Sequence, residues 1–146
     1  MNQRIMYTCI LTQIYLLMAK SSSLSLDKYL DMRPDKKLSE EEAAGIMFQI
    51  CKGLSYLHGI GVAHRDIKLG NVLISESSLV QLIDFGFATM SGDTKLTSFC
   101  GTPCYMCPEI LKKQPYIGYH ADVWAAGILL YRLVCGTTPF KGKPKL

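Results

Sequence analysis

The stretch His64-Arg65-Asp66-Ile67-Lys68-Leu69-Gly70-Asn71 puts an acid, a base and a carboxamide on one short loop, and Asp84-Phe85-Gly86 follows. Asp66 is a candidate acceptor for the proton of an attacking hydroxyl. Lys68 lies two residues on, reaches the same side and can neutralise a γ-phosphate. Asn71 and Asp84 offer hard oxygen ligands, which Mg²⁺ prefers. The set suits phosphoryl transfer, whose transition state spreads negative charge and asks for positioning more than covalent chemistry. Gly86 lets the backbone turn sharply after the second metal ligand. A plain acidic turn would account for Asp66 or Asp84 alone, but not for matched positions on two neighbouring loops.

These segments resemble the catalytic loop and the metal-binding loop of protein kinases. Cys100-Gly101-Thr102-Pro103 and Cys107-Pro108-Glu109 resemble the end of a kinase activation segment, with Cys107 where alanine is usual. Asp122-Val123-Trp124-Ala125-Ala126-Gly127 resembles the start of the central helix of the kinase C-lobe. Lys68 with Thr102 is similar to serine/threonine rather than tyrosine kinases. The texture of Gly127 to Phe140 resembles the calcium/calmodulin-dependent and AMP-activated kinase-like group.

The resemblance implies roles. Asp66, Lys68 and Asn71 would be catalytic, Asn71 and Asp84 would hold Mg²⁺, and Thr102 and Pro103 would belong to the substrate-facing loop. Leu73 would floor the adenine of ATP, between Val72 and Ile74. Ile14 to Lys20 resembles the strand leading to the interlobe hinge, so Met18 would be the gatekeeper. Ala19 to Ser21 would then offer backbone groups to adenine, although the usual hinge acid is absent. His64, Phe85 and Asp122 match the regulatory spine, and Asp122 would hold the catalytic-loop backbone. Ser98 sits where the family carries its activating phosphate, with Thr97 adjacent and Arg65 as the cationic partner. Thr89 stands where a second basic residue often lies. Gly70 and Arg132 occupy positions where arginine-directed kinases often carry acids, which argues against a strong preference for an arginine just before the target serine.

The resemblance covers nearly the whole chain but little more than half of a kinase domain. No Gly-rich phosphate loop precedes residue 14, and no strand lysine with a partner glutamate is seen, the pair that holds the α- and β-phosphates in kinases. Glu109 would normally pair with an arginine beyond the central helix, and a buried carboxylate without a partner is costly. The expectation is a partial kinase domain that is inactive alone, transferring the ATP γ-phosphate to protein Ser/Thr hydroxyls when complete. The alternative is a non-catalytic, pseudokinase-like docking module.

The elements that must position these loops are legible in outline. Residues 5–11 and 14–19 are apolar runs of strand length. Leu26 to Met32 reads as a short helix stopped by Pro34. Ser39 then caps a long helix, with Glu42 completing a capping box. Ala43, Met47, Ile50, Leu54 and Leu57 share one helical face, and Gly59 and Gly61 end it. Asn71 to Ile74 and Val80 to Ile83 read as a hairpin. Residues 84–109 form a long, weakly periodic connection, the kind that is usually functional. Ala121 to Cys135 is apolar nearly all round and reads as a buried helix. The fold class is α+β, kinase-like, mainly the helical C-lobe (23–146) with an N-lobe strand and hinge remnant (1–22).

Composition sets the outer bounds. The 146 residues fit one domain or part of one, and 49% hydrophobic content excludes a mostly disordered chain. The net charge of +4 comes without a dense basic run, so nucleic acid is not implied. The 6 cysteines include Cys100, Cys104 and Cys107, which lack a fourth ligand at zinc-ribbon spacing, so reduced thiols and a cytoplasmic location fit best. Arg4 and the apolar run Ile5 to Ala19 outline a weak signal peptide; strands are the competing reading. The run is too short to span a bilayer. Oligomeric state, substrate and pathway are open.

Overall fold

The computed structural model describes residues 6–10, 13–17 and 23–140. The N-terminal apolar runs pair antiparallel as β1 (Met6–Ile10) and β2 (Gln13–Leu17), with Met6 opposite Leu17. The adenine-contact candidates Met18, Ala19 and Ser21 lie outside the described residues, as does the tail from Lys141.

The two-residue β3 (Leu24–Ser25) leads directly into α1 (Leu26–Asp31). The long helix α2 (Glu40–Gly59) begins as expected: Ser39 Oγ accepts the Glu42 N–H at 3.2 Å, and three glutamates occupy the first turn. Both features stabilise a helix N-terminus. The other half of the capping box does not form. Glu42 Oε1 instead accepts from Tyr29 OH at 2.6 Å and from Arg33 Nη2 at 2.8 Å. Two hydrogen bonds to a carboxylate, one from a cation, outweigh one local bond to a backbone N–H. The buried stripe is Ala43, Ile46, Ile50 and Leu54, while Met47 and Leu57 are only partly covered. The helix runs through Gly59, and Gly61, at φ +83°, reverses the chain.

From there the chain works in short pieces. β4 (Val62–Ala63) precedes the 64–71 loop, which closes in a 3₁₀ turn, Leu69–Asn71. Asn71 therefore sits in that turn rather than in the following strand. β5 (Val72–Ile74) and β6 (Val80–Leu82) form the expected hairpin, with β3 added on the far side of β5. The long connection is not featureless. β7 (Thr89–Met90) pairs back onto β4, and β8 (Lys95–Leu96) pairs with β9 (Tyr116–Ile117). Between them lie a 3₁₀ turn, Pro103–Tyr105, and the single-turn α3 (Pro108–Leu111).

The last helix, α4 (Gly118–Cys135), starts earlier than its apolar pattern indicated. Gly118 is required there, because a Cβ would stand 2.5 Å from that of Ala63. The helix stops at Gly136, whose φ of +74° is costly for any residue with a side chain. It is not buried all round. Ala121, Ala125, Ile128, Leu129 and Leu133 are covered, whereas Val123, Leu130 and Tyr131 are exposed. Its covered sides face α2 and the 103–117 segment; its third side has no cover among the described residues.

One core cluster joins α1, α2, the 64–71 loop, β5 and α4 through Leu26, Ile50, Ile67, Val72, Leu129 and Leu133. A smaller one, with Met106, Cys107, Ile110, Tyr116 and Ala121, seats the 103–117 segment on α4. No helix among the described residues is long and apolar enough to cross a membrane.

Candidate active site

The 64–71 loop is held from below by one buried carboxylate. Asp122, with no exposure, accepts the backbone N–H of His64 at 2.9 Å and that of Arg65 at 2.7 Å. His58 Nε2 lies 2.9 Å from the same carboxylate and stacks on Tyr119. These bonds fix Arg65 at φ +66°, a left-handed conformation unusual for a residue with a side chain. The start of the loop is therefore set by tertiary contacts and not by local preference. The part of His58 was not foreseen from the sequence, because it lies 64 positions from Asp122 and no local signal links them.

A second set of bonds joins the two motifs. The Ile83 N–H donates to Asn71 O at 3.0 Å, which extends the β5–β6 ladder and brings Asp84 beside Asn71. His64 Nδ1 faces the Asp66 N–H at 3.3 Å, so that nitrogen accepts. The proton then sits on Nε2, which donates to Ile83 O at 3.1 Å. The His64 ring also packs against Phe85, with centroids 4.9 Å apart. Asp84 has φ +63°, and its Oδ1 accepts from the Gly86 N–H at 3.2 Å. Arg65 and Asp84 share this left-handed backbone with Lys36, Ser78 and Lys113, and at Arg65 the Asp122 bonds hold it.

Asp66 sits at the centre and is 4% exposed. Its Oδ2 receives Lys68 Nζ at 2.7 Å and Asn71 Nδ2 at 2.9 Å, and its Oδ1 receives Thr102 Oγ1 at 2.7 Å. Lys68 also donates to Thr102 at 3.1 Å, closing a ring across the two loops. Gly101 makes this approach possible: at φ +108°, a Cβ there would lie 2.8 Å from Arg65 O. Pro103 opens the adjoining 3₁₀ turn.

Burial pushes the Asp66 carboxyl up, but the Lys68 ammonium with the Thr102 and Asn71 bonds outweighs it, and the group ends below the ordinary carboxylate value. A depressed folded-state value stabilises the fold above the unfolded pKa, near 3.8, and that contribution is lost as pH falls through the folded value. Stability of Asp66→Asn should therefore fall less steeply than wild type as pH drops below about 4. Parallel urea curves across that range check it; equal slopes against pH would show that Asp66 is not held ionised.

The donor set fits a hard divalent cation. Asn71 Nδ2 points at two acceptors, Asp66 O and Oδ2, which turns its carbonyl oxygen outward with no donor among the described residues. Asp84 is exposed and keeps carboxylate capacity beyond its bond to Gly86. Both oxygens are the type Mg²⁺ takes. Leu73 lies partly exposed in β5.

The activation-segment candidates meet as well. Arg65 Nη1 donates to Ser98 Oγ at 2.6 Å, and its Nε donates to Phe87 O at 2.6 Å. Tyr116 OH donates to Ser98 O at 3.0 Å. Thr97 is exposed and makes no such contact. Glu109 is exposed too, held low by its own backbone N–H and by Cys107, so it carries none of the burial cost expected for it.

The protein kinase domain family matches residues 5–146. The chain is similar to NUAK family SNF1-like kinase 2 of Rattus norvegicus, 40% identical over 133 residues, covering 90% of this chain and 21% of that protein. It is similar to protein kinase kin1 of Schizosaccharomyces pombe, 47% identical over 105 residues, covering 71% of this chain and 12% of that protein. CBL-interacting protein kinase 4 of Oryza sativa is 39% identical over 132 residues, covering 88% of this chain and 29% of that protein. The chain thus spans less than a third of each of these relatives. With this match over nearly its whole length, the chain belongs to the protein kinase family.

Proposed function

We propose that the protein transfers the γ-phosphate of ATP to serine or threonine hydroxyls of protein substrates. The carrying observation is the Asp66 carboxylate, held by Lys68, Thr102 and Asn71. In this reading Asp66 orients the substrate hydroxyl and accepts its proton. Lys68 offsets charge on the transferred group, and Thr102 fixes both side chains. Asn71 and Asp84 would hold Mg²⁺, which when bound neutralises phosphate charge. Leu73 would lie against the adenine, with Met18 and the backbone of Ala19 to Ser21 completing its pocket. The intact ring of bonds around Asp66 speaks against the non-catalytic docking alternative, which has no need of an ionised, buried carboxylate. Transfer of labelled γ-phosphate to a serine peptide by the longest natural product containing this chain tests the reading. Transfer should require Mg²⁺ and be lost in Asp66→Asn; transfer that survives the substitution overturns it.

Regulation by phosphate on Ser98 follows from the same reading. Arg65 precedes Asp66 and already donates to Ser98 Oγ. A phosphate there would form charge-assisted bonds to the guanidinium and order the segment. Thr97 is the adjacent alternative. A single arginine supports a modest gain, about 1–3 charge-assisted bonds. Ser98→Ala should lower activity severalfold, and Arg65→Ala should remove any gain from phosphorylation. Equal rates and equal protease sensitivity of residues 86–105 in both phosphorylation states would dismiss the switch.

A further inference from the structure

Tyr116 stands in β9 opposite Leu96 of β8, and its ring belongs to the small core with Met106, Cys107, Ile110 and Ala121. The residue is 5% exposed. A phenylalanine would fill that place as well, so the hydroxyl is the part that calls for a reason. A buried tyrosine hydroxyl needs hydrogen-bond partners. This one meets them from two segments. It donates to Ser98 O at 3.0 Å. Its oxygen accepts from Arg65 Nη1 at 3.5 Å and lies 3.4 Å from Ser98 Oγ and 3.8 Å from Cys100 Sγ. The Arg65 side of this cluster is fixed: Asp122 holds its N–H, and its Nε donates to Phe87 O. The other side is open, because residues 97–99 are all exposed. Just beyond them Gly101 passes close to Arg65 O, and Thr102 reaches Asp66 at 2.7 Å. The hydroxyl thus holds an exposed stretch at the point where it runs into the substrate-facing loop.

We propose that Tyr116 is a positioning residue whose hydroxyl latches residues 97–99 beside Arg65 and so seats residues 101–103 against Asp66. This rests on the kinase reading above, in which the substrate hydroxyl lies at Asp66. The latch takes a backbone carbonyl, so it forms whatever the Ser98 side chain carries. It therefore sets the substrate-facing loop in the protein without phosphate, and a phosphate on Ser98 would add a charged partner for Arg65 to a stretch already held. Losing the hydroxyl should cost the fold little. The ring stays packed, and water can reach the exposed Ser98 in place of the lost donor. The cost falls on order: an exposed stretch without its tether opens locally more often than the core beneath it. Catalysis is sensitive to that loosening, because a group misplaced by about 1 Å can lose much of its effect.

The test compares wild type with Tyr116→Phe in the longest natural product containing this chain, treated with phosphatase. For a serine peptide, kcat/KM should fall about twofold to tenfold, the worth of one hydrogen bond. The peptide KM should rise while the KM for ATP stays unchanged, because the latch serves the substrate-facing loop and not the nucleotide side. Protease cleavage within residues 86–105 should speed up by a similar factor, and the urea midpoint should move little. Equal kcat/KM with equal cleavage overturns the proposal. So does a joint rise of both KM values with a lowered urea midpoint, which would show that the hydroxyl only supports the core. The kinase reading is judged separately. If neither protein transfers phosphate, that reading fails, and the cleavage rates alone then decide whether the hydroxyl is a latch: faster cutting in Tyr116→Phe upholds it and equal cutting removes it.

Discussion

Asp66→Asn should lower phosphoryl transfer by about 10²–10⁴-fold, the usual contribution of a positioned acid or base. The carboxamide keeps the volume and can still accept from Thr102. It loses the charge that holds Lys68 at 2.7 Å and the basicity that takes the hydroxyl proton. Folding should survive, because the loop itself is anchored by Asp122 and not by Asp66. Asp84→Asn should fail differently. It keeps one oxygen ligand but lowers the charge of the metal site, so its loss should be partly recovered by raising Mg²⁺. Initial rates against Mg²⁺ for both variants separate the roles. If Asp66→Asn is rescued by Mg²⁺ and Asp84→Asn is not, the assignments of base and metal ligand are reversed; near-normal rates in both would remove them.

The second large effect is on stability. Asp122→Ala should cost about 3–5 kcal/mol, the range for breaking a fully buried charged constellation. Its carboxylate, at zero exposure, serves His64 N, Arg65 N and His58 Nε2. Removing it strands the buried His64 N–H and the partly buried Arg65 N–H, and releases the left-handed Arg65. Asp122→Asn should cost less, since one carbonyl oxygen can still accept, but its NH₂ would face a second donor. Urea denaturation read by the Trp124 fluorescence checks the stability change. Protease cleavage within 64–71 checks the loop: a variant with normal stability and a protected loop would show that Asp122 is only core filling.

The comparison of Asp122 with Asp66 also shows where the reading of the chain succeeds. Both were singled out from local motifs, and the structure gathers Asp66, Lys68, Asn71 and Thr102 within hydrogen-bonding distance. Short loops with strict residue types carry their chemistry in the order of the chain, so spacing reveals it. The start of α2 was legible for a similar reason, because a cap acts within one turn. The outcome for Glu42 was not, because its partners Tyr29 and Arg33 arrive from α1.

By itself, the sequence determined which acid, lysine and carboxamide share the 64–71 loop, the helix and hairpin that flank them, and the kinase family. Each depends on residues near one another in the chain. Only the tertiary structure decided which two N–H groups of that loop the Asp122 carboxylate takes, that His58 shares it, that Glu42 turns to Tyr29 and Arg33, and that Asp27 faces Gly70. It also decided that α4 leaves Val123, Leu130 and Tyr131 uncovered although its composition is apolar throughout. The physical reason is common to all five. Periodicity and propensity describe what a segment offers, whereas hydrogen-bond satisfaction and burial depend on which distant segment is packed against it.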